Sequence, residues 1–131
     1  MKLKFLIADE VRAELSGKQT VIGLYADDVL VVNDVERPSE VPFAIDRLSF
    51  LVNISDVSVG VHNYKAQILN PAGVKLGQEI PMGESQIEKG KSHTLVLEAK
   101  PFVLDGEGIY RLDLYIDNVP HSFPFEVRKS A

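Results

Sequence analysis

The three histidines, His62, His93 and His121, are the side chains of this chain best suited to metal ligation or general-base chemistry, and no cysteine accompanies them. Their spacing argues against both roles. They fall on different expected strands or strand ends, without the His-x-His or His-x-x-x-His pairs that put two ligands on one face. His62 and His93 are expected to face solvent. His121 is expected on the inner face or rim of the last strand with a local hydrogen-bond partner. Carboxylates gather at Asp9-Glu10, Asp27-Asp28, Asp56 and Asp117-Asn118, but none opens the D-x-[DN]-x-[DN]-G loop with its distant Glu, so they read as turn residues rather than calcium ligands. Gly83-Glu84-Ser85-Gln86 lacks the second glycine of a nucleophile elbow. Gly17-Lys18-Gln19-Thr20 lacks the hydroxyl residue directly after the lysine that a phosphate-cradling loop needs, and a hairpin turn accounts for it. The chain is therefore expected to have no catalytic residue, no cofactor and no metal.

The rings are the remaining chemistry. Tyr25, Tyr64, Tyr110, Phe43, Phe50, Phe102, Phe123 and Phe125 follow the inward period of their strands and are expected to pack the core, and the chain has no Trp to build a sugar platform. Tyr115 points the other way, outward beside Arg111, Asp113 and Asp117, and is the first residue to test as a contact.

Composition narrows the class. A chain of 131 residues is long enough for one domain, taken here as 1–131, with a core that needs no disulfide or metal. The absence of Cys removes thiolate sites and permits the cytosol. A net charge of −5 and a pI near 5.1 argue against a nucleic-acid partner, which calls for clustered Lys and Arg. Phe5-Leu6-Ile7-Ala8 is too short an apolar run for a membrane span or signal core, so no membrane partner is expected and the location is read as cytoplasmic.

The elements that would position these residues are strands. Leu3, Phe5 and Ile7 alternate, and 9–15 is read as continuing extended into a turn at Ser16-Gly17. Residues 18–26 return as a strand, apolar on both sides and so expected to be covered. A short strand at Val29-Leu30-Val31-Val32 precedes a polar loop, 33–42, holding Pro38 and Pro42. Leu48, Phe50, Val52 and Ile54 mark the clearest central strand. Tyr64, Ala66 and Ile68 lead into Asn70-Pro71-Ala72-Gly73, which fits a type I turn position by position, with a return through Val74 to Ile80. Residues 81–90 read as a loop, and Leu95, Leu97 and Ala99 alternate before Pro101.

A closing hairpin is the strongest pattern. Tyr110, Leu112, Leu114 and Ile116 share one face of its first strand; Val119, His121, Phe123, Phe125 and Val127 share one face of the second. Tyr110, behind Asp105 and Gly108, resembles a tyrosine corner, which predicts a bond from its hydroxyl to upstream backbone. Pro120 and Pro124 lie on the same lateral side of their strand, so that side is expected to carry no antiparallel partner. About seven to nine short strands of this kind predict an all-β, immunoglobulin-like antiparallel β-sandwich.

The run from Asp9 to Tyr25 resembles the start of a family of small uncharacterised bacterial proteins, approximately D-x-V-R-x-E-x-x-G-K-x-x-x-I-G-x-Y. Asp9, Val11, Arg12, Glu14, Gly17, Lys18, Ile22, Gly23 and Tyr25 occupy those places. An Asn-Pro-x-Gly hairpin and a Gly-x-Tyr closing strand extend the likeness. It implies a domain type without an established activity. In physical terms Gly17 makes a turn, Gly23 admits a neighbouring group, and Arg12 and Glu14 pair on one strand face, where they form a tentative interaction surface with Tyr115 elsewhere. The expected function is a non-catalytic protein-interaction or structural module that self-associates or docks to a protein partner. The alternative is a small-molecule or carbohydrate-binding module using a cleft between the sheets or the loops 33–42 and 81–90.

Overall fold

The computed structural model describes residues 1–16, 18–32 and 43–129. Gly17 and the loop 33–42, with Pro38 and Pro42, lie outside the described residues, as does the side chain of Phe43. The strands are β1 (Lys2–Ala13), β2 (Gln19–Leu24), β3 (Val29–Val32), β4 (Phe43–Ile45), β5 (Leu48–Ser55), β6 (Gly60–Leu69), β7 (Ile80–Ile87), β8 (His93–Ala99), β9 (Phe102–Leu104), β10 (Gly108–Ile116) and β11 (Val119–Lys129). The all-β expectation holds, with more strands than the pattern suggested.

One sheet runs β2-β1-β5-β8 and the other β3-β11-β10-β6-β7, with a small β4-β9 pair beside them. The two sheets give a sandwich-like arrangement, with β1-β5-β8 adjacent in one layer and β11-β10-β6-β7 in the other. The pairing is antiparallel throughout except for β3 on β11, which is parallel.

The period-two rule explains the interior. Ile7, Phe50, Val52, Ile54 and Leu95 meet Tyr64, Ala66, Leu112, Leu114 and Phe125 in one buried cluster. Phe50 is its hub, with Phe5, Phe102 and Phe125 at ring-centroid distances of 6.1, 5.8 and 5.3 Å. The buried Tyr110 closes the corner as expected: its hydroxyl donates to the Gly106 carbonyl and accepts from the Asp105 N–H, each at 2.7 Å.

Turn chemistry sets the register. Asp117 and Asn118 both take positive φ, 51° and 67°, as a two-residue hairpin turn of mirror-image type requires. Ile116 faces Val119 as the closing pair, and the alternation of bonded and non-bonded pairs then turns the nitrogens of Pro120 and Pro124 away from β10. On that side β3 reaches only Glu126 to Lys129, so no strand flanks either proline among the described residues. At the Asn70 turn the Gly73 N–H donates to the Asn70 carbonyl at 2.9 Å, and the Asn70 side chain accepts from the N–H groups of Ala72 and Val74. The expected strand return from Val74 is limited to a single Leu69–Lys75 bridge, and β7 starts only at Ile80.

Two expectations are corrected. The segment 81–90 is largely not a loop, because β7 carries Pro81 inside an edge strand, where a missing N–H is tolerated, with a register shift opposite Tyr64 and Lys65. The strand β2 is not covered: every one of its residues is exposed.

Candidate functional site

The β1–β2 hairpin starts from Asp9. Its carboxylate accepts the Tyr25 hydroxyl at 2.9 Å, and a Cβ on Gly23, which sits at φ +70°, would collide with that same carboxylate. Three positions of the Asp9-to-Tyr25 pattern thus form one unit, and the group that Gly23 admits is a carboxylate. Loss of water around the phenol, with Asp9 beside it, pushes the Tyr25 pKa up to about 12.

Arg12 and Glu14 do not pair with each other. Arg12 bonds Glu10 through Nε at 3.0 Å, while Glu14 accepts the Thr20 hydroxyl at 2.7 Å across the hairpin. Arg47 also reaches Glu10, at 3.1 Å, and Glu98 lies between Arg47 and Lys100 at 3.7 and 3.3 Å. The hydrogen bond from Arg12, and then the nearby positive charges, hold the Glu10 carboxyl below its usual range. This chain of charges crosses β1, β5 and β8 and borders an apolar strip.

That strip lies on the outer face of the first sheet. Leu6 pairs Leu51, which pairs Val96, and Ala8 pairs Leu24, all opposite in parity to the core-facing Phe5, Ile7 and Phe50. Leu24 is 57% exposed and Ile22 39%. An outer face is ordinarily the polar side of an antiparallel sheet.

The backbone edge of β2 is open as well. The Glu14 N–H donates to the Lys18 carbonyl at 2.8 Å, which makes that a bonded pair and, by alternation, turns the N–H and C=O of Val21 away from β1. Several other edges are blunted, although the four-residue edge strand β3 is also uncharged and free of proline. Pro120 and Pro124 guard β11, Pro81 and a bulge interrupt β7, and β8 carries the ion-paired Glu98. The six residues of β2 include neither proline nor charge, so it lacks the usual protection against strand addition.

Tyr115 belongs to the other sheet and does not join Arg12 and Glu14. Its hydroxyl accepts from Gln67 Nε2 at 3.0 Å, and Lys65 Nζ stands 5.1 Å from its ring centroid. Beside it, Asp113 takes Arg111 at 2.8 Å and the Ser122 hydroxyl at 2.7 Å.

The histidines behave differently from their sequence reading. His62 is buried, with Nδ1 2.6 Å from Asp117 Oδ2 and Nε2 2.7 Å from the Ser58 carbonyl. Both partners are acceptors, so the imidazolium is the form of the ring that donates to both. The Ser58 bond and then the Asp117 bond raise its pKa, while the Asn63 N–H and His62 lower that of Asp117. His93 is partly buried and stacks on Tyr64 at 5.4 Å, and its burial lowers its pKa. His121 is partly buried and lines a cleft with His62. The signal for His62 was its parity with Tyr64, Ala66 and Ile68. Among the described residues no group of three His, Cys, Asp or Glu could hold a metal ion.

At the opposite end, Ile68, Leu76, Ile80, Phe102 and Leu104 line a cleft of about 540 Å³ with Asp105 at its rim. No helix among the described residues is long and apolar enough to cross a membrane.

A family model described as a family of unknown function (DUF6941) matches residues 3–128. The chain belongs to this family. No curated protein matches it. Among solved structures it is similar to the Pseudomonas fluorescens alkylpurine DNA glycosylase AlkC bound to DNA containing an abasic site analog, at 15% identity and a TM-score of 0.47. The likeness covers 75% of this chain and spans 27% of that one.

Proposed function

We propose that this DUF6941 member is a non-catalytic interaction module of the bacterial cytoplasm whose β2 edge pairs antiparallel with β2 of a second copy. The observation that carries this reading is an uncharged, proline-free edge strand, exposed along its whole length, with Ile22 and Leu24 open to solvent. A two-fold pairing satisfies the Val21 N–H and C=O of both copies and covers Ile22 and Leu24.

The test is Val21→Pro. This change removes a donor that the β1 ladder does not use. Size-exclusion chromatography with light scattering should give a dimer mass for the wild type and a monomer mass for V21P, with the same circular dichroism spectrum. A wild type that stays monomeric at high concentration rejects the reading.

The cleft bounded by Ile68, Leu76 and Phe102 favours a second reading, a small-molecule module, since its volume falls in the range of about 300–1,000 Å³ usual for ligand pockets. Saturable thermal stabilisation by an apolar ligand, weakened by Leu76→Asp, would support it.

A further inference from the structure

The end of the sandwich that holds His62 contains a second cleft, of about 560 Å³, between the β5–β6 and β7–β8 connections. Lys2 lines it from β1 and Lys89 and Lys91 from the β7–β8 connection, together with Ser58 and Ser92, and Asp56 is the one carboxylate among its lining residues. In a chain of net charge −5 this is a local excess of positive charge.

Among the described residues these lysines have no carboxylate partner of their own, a condition they share with Lys4, Lys18 and Lys75, but they alone of these line one cleft. Arg12, Arg47, Arg111, Arg128, Lys65 and Lys100 each hold a carboxylate within 4.0 Å, whereas among the described residues none lies that close to Lys2, Lys89 or Lys91. Three ammonium groups lining one cleft with a single carboxylate leave an excess of positive charge there, and a bound anion relieves it. His62 adds to the bias from beneath: its Nε2–H occupies the Ser58 carbonyl, an acceptor that would otherwise oppose an anion. The Gly90 turn, at φ +77°, lies between two of the lysines with room above its Cα.

We propose that this cleft binds a phosphate dianion, with Lys2, Lys89 and Lys91 as its charge partners and the Ser58 and Ser92 hydroxyls as donors. Lysine suits this role as a mobile point charge with three donors. The phosphate is either the free ion or a phosphomonoester on a peptide. The site is independent of β2 pairing.

The experiment is a titration with sodium phosphate against sodium chloride at matched ionic strength, read from the ¹⁵N–¹H shifts of Gly90 and Ser92. Saturable shifts are expected with phosphate. They should vanish in Lys89→Glu/Lys91→Glu and persist in Lys4→Glu, whose lysine lies outside the cleft, while peak dispersion reports that each variant is folded. No saturable shift, or an equal response in the double variant, overturns the site. A phosphoserine peptide that binds at least about tenfold tighter than inorganic phosphate identifies a phosphorylated partner, and equal affinity identifies the free ion.

Discussion

His62 shows what one side chain can report about an otherwise unassigned surface. Its two nitrogens face a carboxylate and a carbonyl, and only the charged ring satisfies both. The folded-state pKa therefore lies above the ordinary value of 6.5. A raised histidine pKa contributes stability fully present below the unfolded-state value and lost as pH rises through the folded-state value. The stability gap between wild type and His62→Gln, from urea unfolding, should be widest below the ordinary value of 6.5 and shrink as the pH rises above it. A gap independent of pH would contradict this account. The sequence hid the arrangement because Asp117 lies 55 residues away and the second partner is a backbone atom. Parity with Tyr64 was the legible part. Tyr110 was readable from its local motif because both its bonds are to backbone within five residues.

At the scale of elements, proline and strand parity decided where pairing stops. Pro120 and Pro124 keep the side of β11 next to the β3 contact free of added strands. Replacing both with Thr restores two outward donors, so Pro120→Thr/Pro124→Thr should form larger species on concentration, seen as a rise in scattered light. Unchanged scattering would show that the prolines guard nothing. The same reasoning fails for β7: residues 81–90 read as a loop, although an edge strand with a bulge accommodates Pro81. It failed for β2 for a different reason. Apolar residues on both sides of a short strand describe a covered central strand and an exposed docking edge equally well, and Val21, Ile22 and Leu24 carry no local mark to separate them. Arg12 and Glu14 were placed on the correct hairpin, but their partners, Glu10 and Thr20, depend on register and rotamer rather than on spacing.

For the molecule as a whole, two layers close over an aliphatic and aromatic interior whose strands were legible because period-two alternation is a direct consequence of half-burial. Leu48, Phe50, Leu112 and Leu114 are all at most 2% exposed. Phe50, in ring contact with both β9 and β11 as well as β1, should be the most sensitive position: Phe50→Ala is expected to cost about 3–5 kcal/mol in urea unfolding, and a loss under about 1 kcal/mol would show that the core closes without it. With the interior filled in this way, the unsatisfied features sit on the outside. These are the exposed edge strand β2, with Ile22 and Leu24 open to solvent, and a lysine-lined cleft at the far end of the sandwich. The first is why docking along β2 is the central claim.

The most direct test follows the amide proton of Val21 by hydrogen exchange, in concentrated and in dilute protein. Pairing of β2 with a second copy predicts slow exchange at high concentration that becomes fast on dilution, while amides bonded within the β1 ladder stay protected throughout. Fast exchange of Val21 at both concentrations would contradict it.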